Sequence, residues 1–218
     1  MIPKIVHYVW LGGKDYPKLV EKCIESWKKH LPDYHLKLWN EDNIPLHIPY
    51  IKKALDKKYY AFASDYIRAY TLFTEGGIYL DTDMEVIKSL DPLLEYDYFL
   101  GYQSENSLNA SIMGSKEKSI VAKLIMDTFD TMGHFESIPN ILDKIYKEEK
   151  ILLNTENSKI FSQEYFYPYN PYIEETKDIG LMYMDITPQT YTIHHWQKSW
   201  HLSFTDRVKR SLKKRGLL

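Results

Sequence analysis

Two aspartates, Asp81 and Asp83, flank Thr82 directly after the apolar run Ile78-Tyr79-Leu80. Gly76-Gly77 precedes that run, so it reads as a short buried strand entered through a turn. Residues two apart on a strand project to one side, so both carboxylates can serve one ligand. An open α/β sheet forms its ligand crevice at the carboxyl ends of its strands. Two carboxylates there make a hard-oxygen site for Mn²⁺ or Mg²⁺ held together with substrate phosphates. A bare D-x-D triplet is a weak signal, and its surroundings strengthen it. Ser64 to Glu75 reads as a helix, with Ser64 near its N-cap and the glycine pair just beyond its end. Asp65 and Arg68 lie three apart and share a helical face. In isolation such a pair is a local ion pair worth roughly a few tenths of a kcal/mol. Beside a strand ending in D-x-D it reads as a substrate-binding pair.

A second constellation spans Thr192 to Trp200, TIHHWQKSW. Two adjacent histidines among tryptophans and a lysine, near the end of an α/β chain, are poorly explained as core. Neutral imidazole suits Mn²⁺-class metals, and the Lys198 ammonium can meet a diphosphate as a point charge.

Together, S-D-x-x-R and T-E-G-G-I-Y-L-D-T-D resemble the DXD sugar-binding region of nucleotide-sugar glycosyltransferases. The resemblance is strongest to family 32, with its bacterial capsule and surface-polysaccharide transferases and fungal mannosyltransferases. It extends more distantly to the glucosyltransferase domain of the large clostridial toxins. It implies a single α/β domain of the GT-A type, a mixed central sheet flanked by helices, a divalent cation (Mn²⁺, or Mg²⁺) and transfer that retains anomeric configuration. By the same resemblance, Asp83 binds the metal, and Asp81 binds it too, directly or through water, or else holds the ribose. Asp65 and Arg68 hold the donor sugar, with Tyr79 and Thr82 beside them. Val9, Trp10 and Leu11 hold the nucleoside, and Asn109 contacts the transferred sugar. The ending H-H-W-x-x-S-W implies His195 as third metal ligand, with His194 the alternative, and Lys198 and Trp200 on the phosphates. The bacterial branch favours a UDP-hexose over GDP-mannose as donor, and a glycan or lipid-linked glycan as acceptor. No carboxylate stands out as a covalent nucleophile, which agrees with front-face transfer. Two other classes share some features. A Mg²⁺ phosphohydrolase of the haloacid-dehalogenase type also places D-x-D after an apolar strand, but on its first strand. A non-catalytic sugar-binding module has no need of so complete a set of polar groups.

The elements that must position these groups are legible in pattern. Lys4 to Leu11 is apolar on both faces, as an inner parallel strand is, and ends at Gly12-Gly13. Pro17 to His30 carries Leu19, Val20, Cys23, Ile24 and Trp27 at helical spacing. His35 to Trp39 alternates as a second strand, completing a nucleotide-binding opening. His7 lies inside the first strand and reads as structural, while Trp39 and Asn40 are weaker candidates for the base pocket. Neither a dinucleotide fingerprint nor a P-loop is present. Asn43 to Tyr60 is a proline-punctuated helical approach to the central motif. Leu90-Asp91-Pro92 marks a turn, Tyr98 to Tyr102 and Asn109 to Gly114 read as strands, and Ser119 to Met132 and Pro139 to Glu149 as amphipathic helices. Phe161 to Tyr172 is an aromatic loop-and-edge segment, read mainly as packing and also as an acceptor platform.

The length of 218 residues and the formal net charge of −2 fit one domain with no global pull toward nucleic acid. A single cysteine, Cys23, excludes an internal disulfide framework and fits a reducing compartment. Met1-Ile2-Pro3-Lys4 does not open a signal peptide, and no run approaches a membrane span. Residues 1–203 are therefore expected to form the catalytic domain and 204–218 a basic amphipathic tail. In that tail Phe204, Val208 and Leu212 share one face, and Arg207, Lys209, Arg210, Lys213, Lys214 and Arg215 fill the rest. That composition suits the surface of an anionic membrane. The expected location is cytoplasmic, peripheral at the inner face of the cell membrane.

Overall fold

A computed structural model describes residues 1–148, 157–172 and 180–197. The first strand, β1 (Ile5–Val9), leads through Gly12-Gly13 into α1 (Lys18–His30), and the chain returns as β2 (His35–Trp39), parallel to β1. Next come α2 (Pro49–Asp56), with proline in its first turn, and α3 (Tyr60–Glu75). The motif strand β3 (Gly77–Leu80) is buried throughout and pairs with β1 in parallel. A short strand β4 (Met84–Val86) follows the aspartates, then β5 (Tyr98–Ser104) and β6 (Ser107–Ser115), which form a hairpin. Two helices, α4 (Ile120–Thr131) and α5 (Ile138–Glu148), precede β7 (Ser158–Phe161), α6 (Gln163–Phe166) and β8 (Thr192–His194).

The main sheet has the order β2-β1-β3-β6-β5-β7 and is mixed, because β6 runs antiparallel to both β3 and β5. The motif strand sits centrally in it. Alternation along β3 divides the core: Tyr79 faces the cluster built with α2, α3, α4 and α5, while Ile78 and Leu80 face the cluster built with α1, β4 and α6. Both faces are covered, so β1 and β3 carry apolar residues on both sides, as the sequence pattern implied. The expected GT-A type architecture of mixed sheet and flanking helices is the one found.

One local reading is corrected. The helix before the glycine pair begins at Tyr60, so Ser64 lies inside it and is no N-cap. The reason is packing: Phe62 and Ala63 are fully buried, and Phe62 sits within aromatic range of Phe135, so burial carries the helix a turn further back. Asn109 lies within β6, as the strand reading over Asn109 to Gly114 implied. Among the described residues no helix is long and apolar enough to cross a membrane.

The glycine pair has a steric task. Gly76 and Gly77 both have positive φ (65° and 106°), and a Cβ on Gly77 would stand 2.7 Å from the Ile5 carbonyl oxygen. Only glycine turns the chain from α3 into the centre of the sheet in so little space. His7, fully buried in β1, fastens the same turn. Its Nε2 bonds the Gly76 carbonyl at 2.8 Å, and its Nδ1 accepts from Trp39 Nε1 at 3.0 Å. An indole nitrogen can only donate, so the ring is neutral with its proton on Nε2. Burial accordingly lowers the His7 pKa. The histidine is structural, as its place inside the strand suggested.

Candidate active site

Helix α3 and strand β3 bring Arg68 and Asp81 together. Arg68 is almost fully buried. Its guanidinium donates to Asp81 Oδ1 at 2.7 Å, to Asp65 Oδ1 at 3.1 Å and to the Ala110 carbonyl at 2.5 Å. It also lies over the Tyr79 ring, 4.4 Å from the centroid. Tyr79 donates its hydroxyl to the same Asp81 oxygen at 3.1 Å, and Ser64 Oγ stands 2.9 Å from that hydroxyl. With the Tyr79 proton committed to a carboxylate, Ser64 is the donor in that contact. Both side-chain bonds to Asp81, from Arg68 and Tyr79, fall on Oδ1, and the side chain keeps a quarter of its surface exposed. Asp81 thus offers its second oxygen to a ligand.

Asp65 is placed differently from the expectation. It is wholly buried: one oxygen accepts from Arg68 and the other from the Ile138 backbone N–H at 3.1 Å. Both of its oxygens are thus engaged within the protein, one of them in holding Arg68. Burial pushes its carboxyl up, and the guanidinium pulls it back. Arg68 itself is held charged, because Asp81, Tyr79 and Asp65 outweigh its burial.

Asp83 is set by the far end of the chain. Strand β8 pairs antiparallel with β4, with Met84 opposite His194. This brings His194 Nε2 to 3.3 Å from Asp83 Oδ1. The backbone of residues 195–197 then wraps the aspartate: His195 N–H donates to the Asp83 carbonyl at 3.0 Å, and Gln197 N–H to Oδ2 at 2.8 Å. Burial would raise the Asp83 carboxyl, but His194 and the Gln197 N–H outweigh it and hold it below the usual carboxylate range. Trp27 supports β4 from α1 by donating to the Met84 carbonyl at 2.7 Å.

Adjacent residues on a strand point to opposite sides, and the histidine pair obeys this. His194 faces the aspartates. His195 turns away and bonds Glu85 at 2.9 Å, through its Nε2. One oxygen or nitrogen from each of Asp81, Asp83 and His194 lies within 4.8 Å of the others. Two carboxylates and an imidazole are a donor set that suits Mn²⁺, and Mg²⁺ less closely. The His194 Nδ1 is buried without a hydrogen-bond partner, so the Asp83 contact of Nε2 is the polar bond described for that ring. The residues present fit a divalent cation, with His194 where the resemblance preferred His195.

The remaining expected site residues divide into three groups. Val9 is buried, and Trp10 and Leu11 are half-buried at the mouth of β1; Trp10 Nε1 donates to the Lys14 carbonyl at 2.6 Å and its ring meets Tyr16 edge-on. Thr82 is half-buried between the aspartates. Asn109 is buried and occupied at both ends, accepting from Ser111 and donating to Gln103 at 2.7 Å. Since the Ser111 carbonyl accepts from Asp81 N–H at 2.7 Å, Asn109 steadies the aspartate from behind. Lys198, Trp200 and the tail 204–218 lie outside the described residues. Sequence reasoning missed Glu85, which claims His195, and Gln197, which caps Asp83.

With this geometry in view, comparison with known proteins is specific. Residues 17–100 match the model of the glycosyltransferase sugar-binding region containing DXD motif. Inositol phosphoceramide mannosyltransferase 3 of Schizosaccharomyces pombe is 31% identical over 121 residues, covering 52% of this chain and 33% of the relative. Lactosylceramide 4-alpha-galactosyltransferase of Rattus norvegicus is 28% identical over 165 residues, covering 66% of this chain and 44% of the relative. This chain thus spans about a third of the first relative and under half of the second. Among solved structures, the PaToxG glycosyltransferase superposes with a TM-score of 0.55 at 16% identity, over 70% of this chain and 71% of its own. That likeness concerns the fold.

Proposed function

From a chain whose residues 17–100 belong to the DXD glycosyltransferase sugar-binding family, we propose a metal-dependent, retaining transferase that moves a hexose from a nucleotide sugar to an acceptor hydroxyl. The observation that carries this reading is the convergence of Asp81, Asp83 and His194 at the end of the motif strand, with Arg68 bonded to Asp81. A divalent cation bound there supplies charge neutralisation for the leaving diphosphate. Arg68 fixes the Asp81 carboxylate so that its second oxygen faces the ligand. Asp83, kept ionised by His194 and Gln197, stays ready to coordinate at neutral pH. Trp10 at the mouth of β1 offers a ring beside which the nucleobase sits. Asp65 is buried and Asp81 and Asp83 are engaged, which argues against a covalent glycosyl-enzyme and leaves front-face transfer as the route to the retention proposed here.

The relatives bear names of mannosyl and galactosyl transferases whose named substrates are ceramide-linked. The acceptor proposed is therefore a lipid-linked glycan, and the donor a UDP-hexose or GDP-mannose. The test is thermal stability with UDP-galactose, UDP-glucose and GDP-mannose, with and without Mn²⁺. A ligand confined to the native state raises the melting temperature by mass action. Stabilisation by one of the three that requires Mn²⁺, and is lost in Asp83→Asn together with turnover, is the expected outcome. An Asp83→Asn protein that still transfers sugar overturns it.

A further inference from the structure

Among the described rings around the aspartate–histidine centre, Tyr172 alone is left mostly to solvent, at 55% exposure. Around it Tyr167 is buried, and Trp196 and Tyr169 are partly covered. A large ring left open near a polar centre is a surface that a ligand can cover.

The ring is anchored from two sides. Its backbone N–H donates to Asn170 Oδ1 at 2.9 Å, and the buried Asn170 donates in turn to the Gln103 carbonyl at 2.8 Å. Gln103 is the residue that Asn109 grips, so Tyr172 is tied to the same polar chain that steadies Asp81. From the other side, Tyr172 meets Trp196 edge-to-face, with centroids 5.6 Å apart. Trp196 lies 4.1 Å from the His194 ring and donates its Nε1–H to the Tyr169 carbonyl at 2.7 Å. It does so from a left-handed backbone conformation, φ 56°, which an aromatic residue adopts only where surrounding contacts impose it. Three rings thus step outward from the metal-ligand histidine: His194, Trp196, Tyr172. The contacts from His194 to Trp196 and from Trp196 to Tyr172 keep the ring beside the aspartate–histidine centre.

We propose that Tyr172 is the floor of an acceptor subsite that takes the C–H face of a hexopyranose ring. The negative face of an aromatic ring attracts polarised C–H groups, and a pyranose presents such a face while its hydroxyls stay wet. A ring seated there is held on the open side of His194 and Trp196, beside the aspartates, with its hydroxyls free to reach the donor. The inference rests on the glycosyltransferase reading above and narrows its acceptor to a terminal hexose.

The test uses the whole chain, labelled and saturated with Mn²⁺ and UDP, on an array of hexose-terminated glycans that includes lactose. Wild type is expected to bind a subset. Tyr172→Ala should lower that signal at least tenfold, and Tyr172→Phe, which keeps the ring, should stay within about twofold. The rise in melting temperature on adding Mn²⁺ and UDP is measured on every variant in parallel. Equal glycan binding by wild type and Tyr172→Ala overturns the proposal, as does a wild type that binds no glycan while UDP and Mn²⁺ still stabilise it. Loss of the UDP-induced shift in Tyr172→Ala also overturns it, by moving the ring to the donor side. A wild type that UDP and Mn²⁺ do not stabilise overturns the glycosyltransferase reading itself.

Discussion

Replacing the two histidines by alanine one at a time separates the ring that faces the aspartates from its neighbour. His195 bonds Glu85 at 2.9 Å, with side chains 27% and 40% exposed. A pair so open to water contributes about 0–1 kcal/mol, and the bond from His195 to Asp83 runs from its backbone N–H, which alanine keeps. His195→Ala should therefore change Mn²⁺ affinity by no more than about fivefold, the factor to which about 1 kcal/mol corresponds. His194 is nearly buried, stands 3.3 Å from Asp83 Oδ1 and packs at a tilt against the Trp196 ring. Its removal deletes one of three protein donors and a ring contact worth about 0.5–1.5 kcal/mol. Substituting even outer-shell partners of metal ligands costs about 10–100-fold in affinity, so His194→Ala should lose more than about 100-fold. The assay is a titration of Mn²⁺ with UDP present, with free Mn²⁺ read by its paramagnetic resonance signal. If His195→Ala suffers the large loss and His194→Ala the small one, the β4–β8 register that aims His194 at the centre is not the one the working protein uses.

Two further perturbations probe the supports. Asp65 accepts an N–H donor on each oxygen, so Asp65→Asn must turn an amide N–H₂ toward one of them. One buried group is then left unsatisfied at about 1–3 kcal/mol, or about 2–12 °C in melting temperature for a chain of this length. An unchanged melting temperature with donor-induced stabilisation abolished would instead mean that Asp65 touches the sugar. His7 is neutral in the folded protein, with a pKa lowered by burial. The unfolded chain therefore takes up a proton near pH 6.5 that the folded chain refuses. Stability falls as pH drops through that value toward the lowered one, and His7→Gln should flatten this part of the profile in denaturant titrations at pH 7.5 and 5.5. An equal slope in the variant would show that other groups carry the acid sensitivity.

The fold was legible where one residue class forces one geometry. Gly76-Gly77 announced the entry to β3, because no other residue fits beside the Ile5 carbonyl at positive φ. The double-sided apolar run of β1 announced an inner strand. What could not be read was the β4–β8 pair. Three-residue strands carry too little pattern to distinguish them from loop, and their partners lie more than a hundred residues apart in sequence, so only tertiary packing of Trp27 and Ser26 against β4 fixes them.

That unread pair decides the site. The chemistry of Asp81, Asp83 and a histidine was available from residue type, but the choice between His194 and His195 is a question of parity. On a strand the two must face apart, so one faces Asp83 and the other cannot. Parity is set by register against β4, and register by what each side can satisfy. Glu85, the residue after Met84, lies on the outer side and offers a carboxylate there, and His195 takes it at 2.9 Å. A slip of one residue would exchange the two rings, but it would also strip the Asp83 carbonyl and carboxylate of the His195 and Gln197 N–H donors. That would leave a nearly buried charge short of partners, at a cost of about 1–3 kcal/mol or more. The capping of Asp83 and the lure of Glu85 act in the same direction, so the identity of the aspartate-facing histidine follows from the hydrogen bonds of its neighbours, not from any property of the imidazole itself.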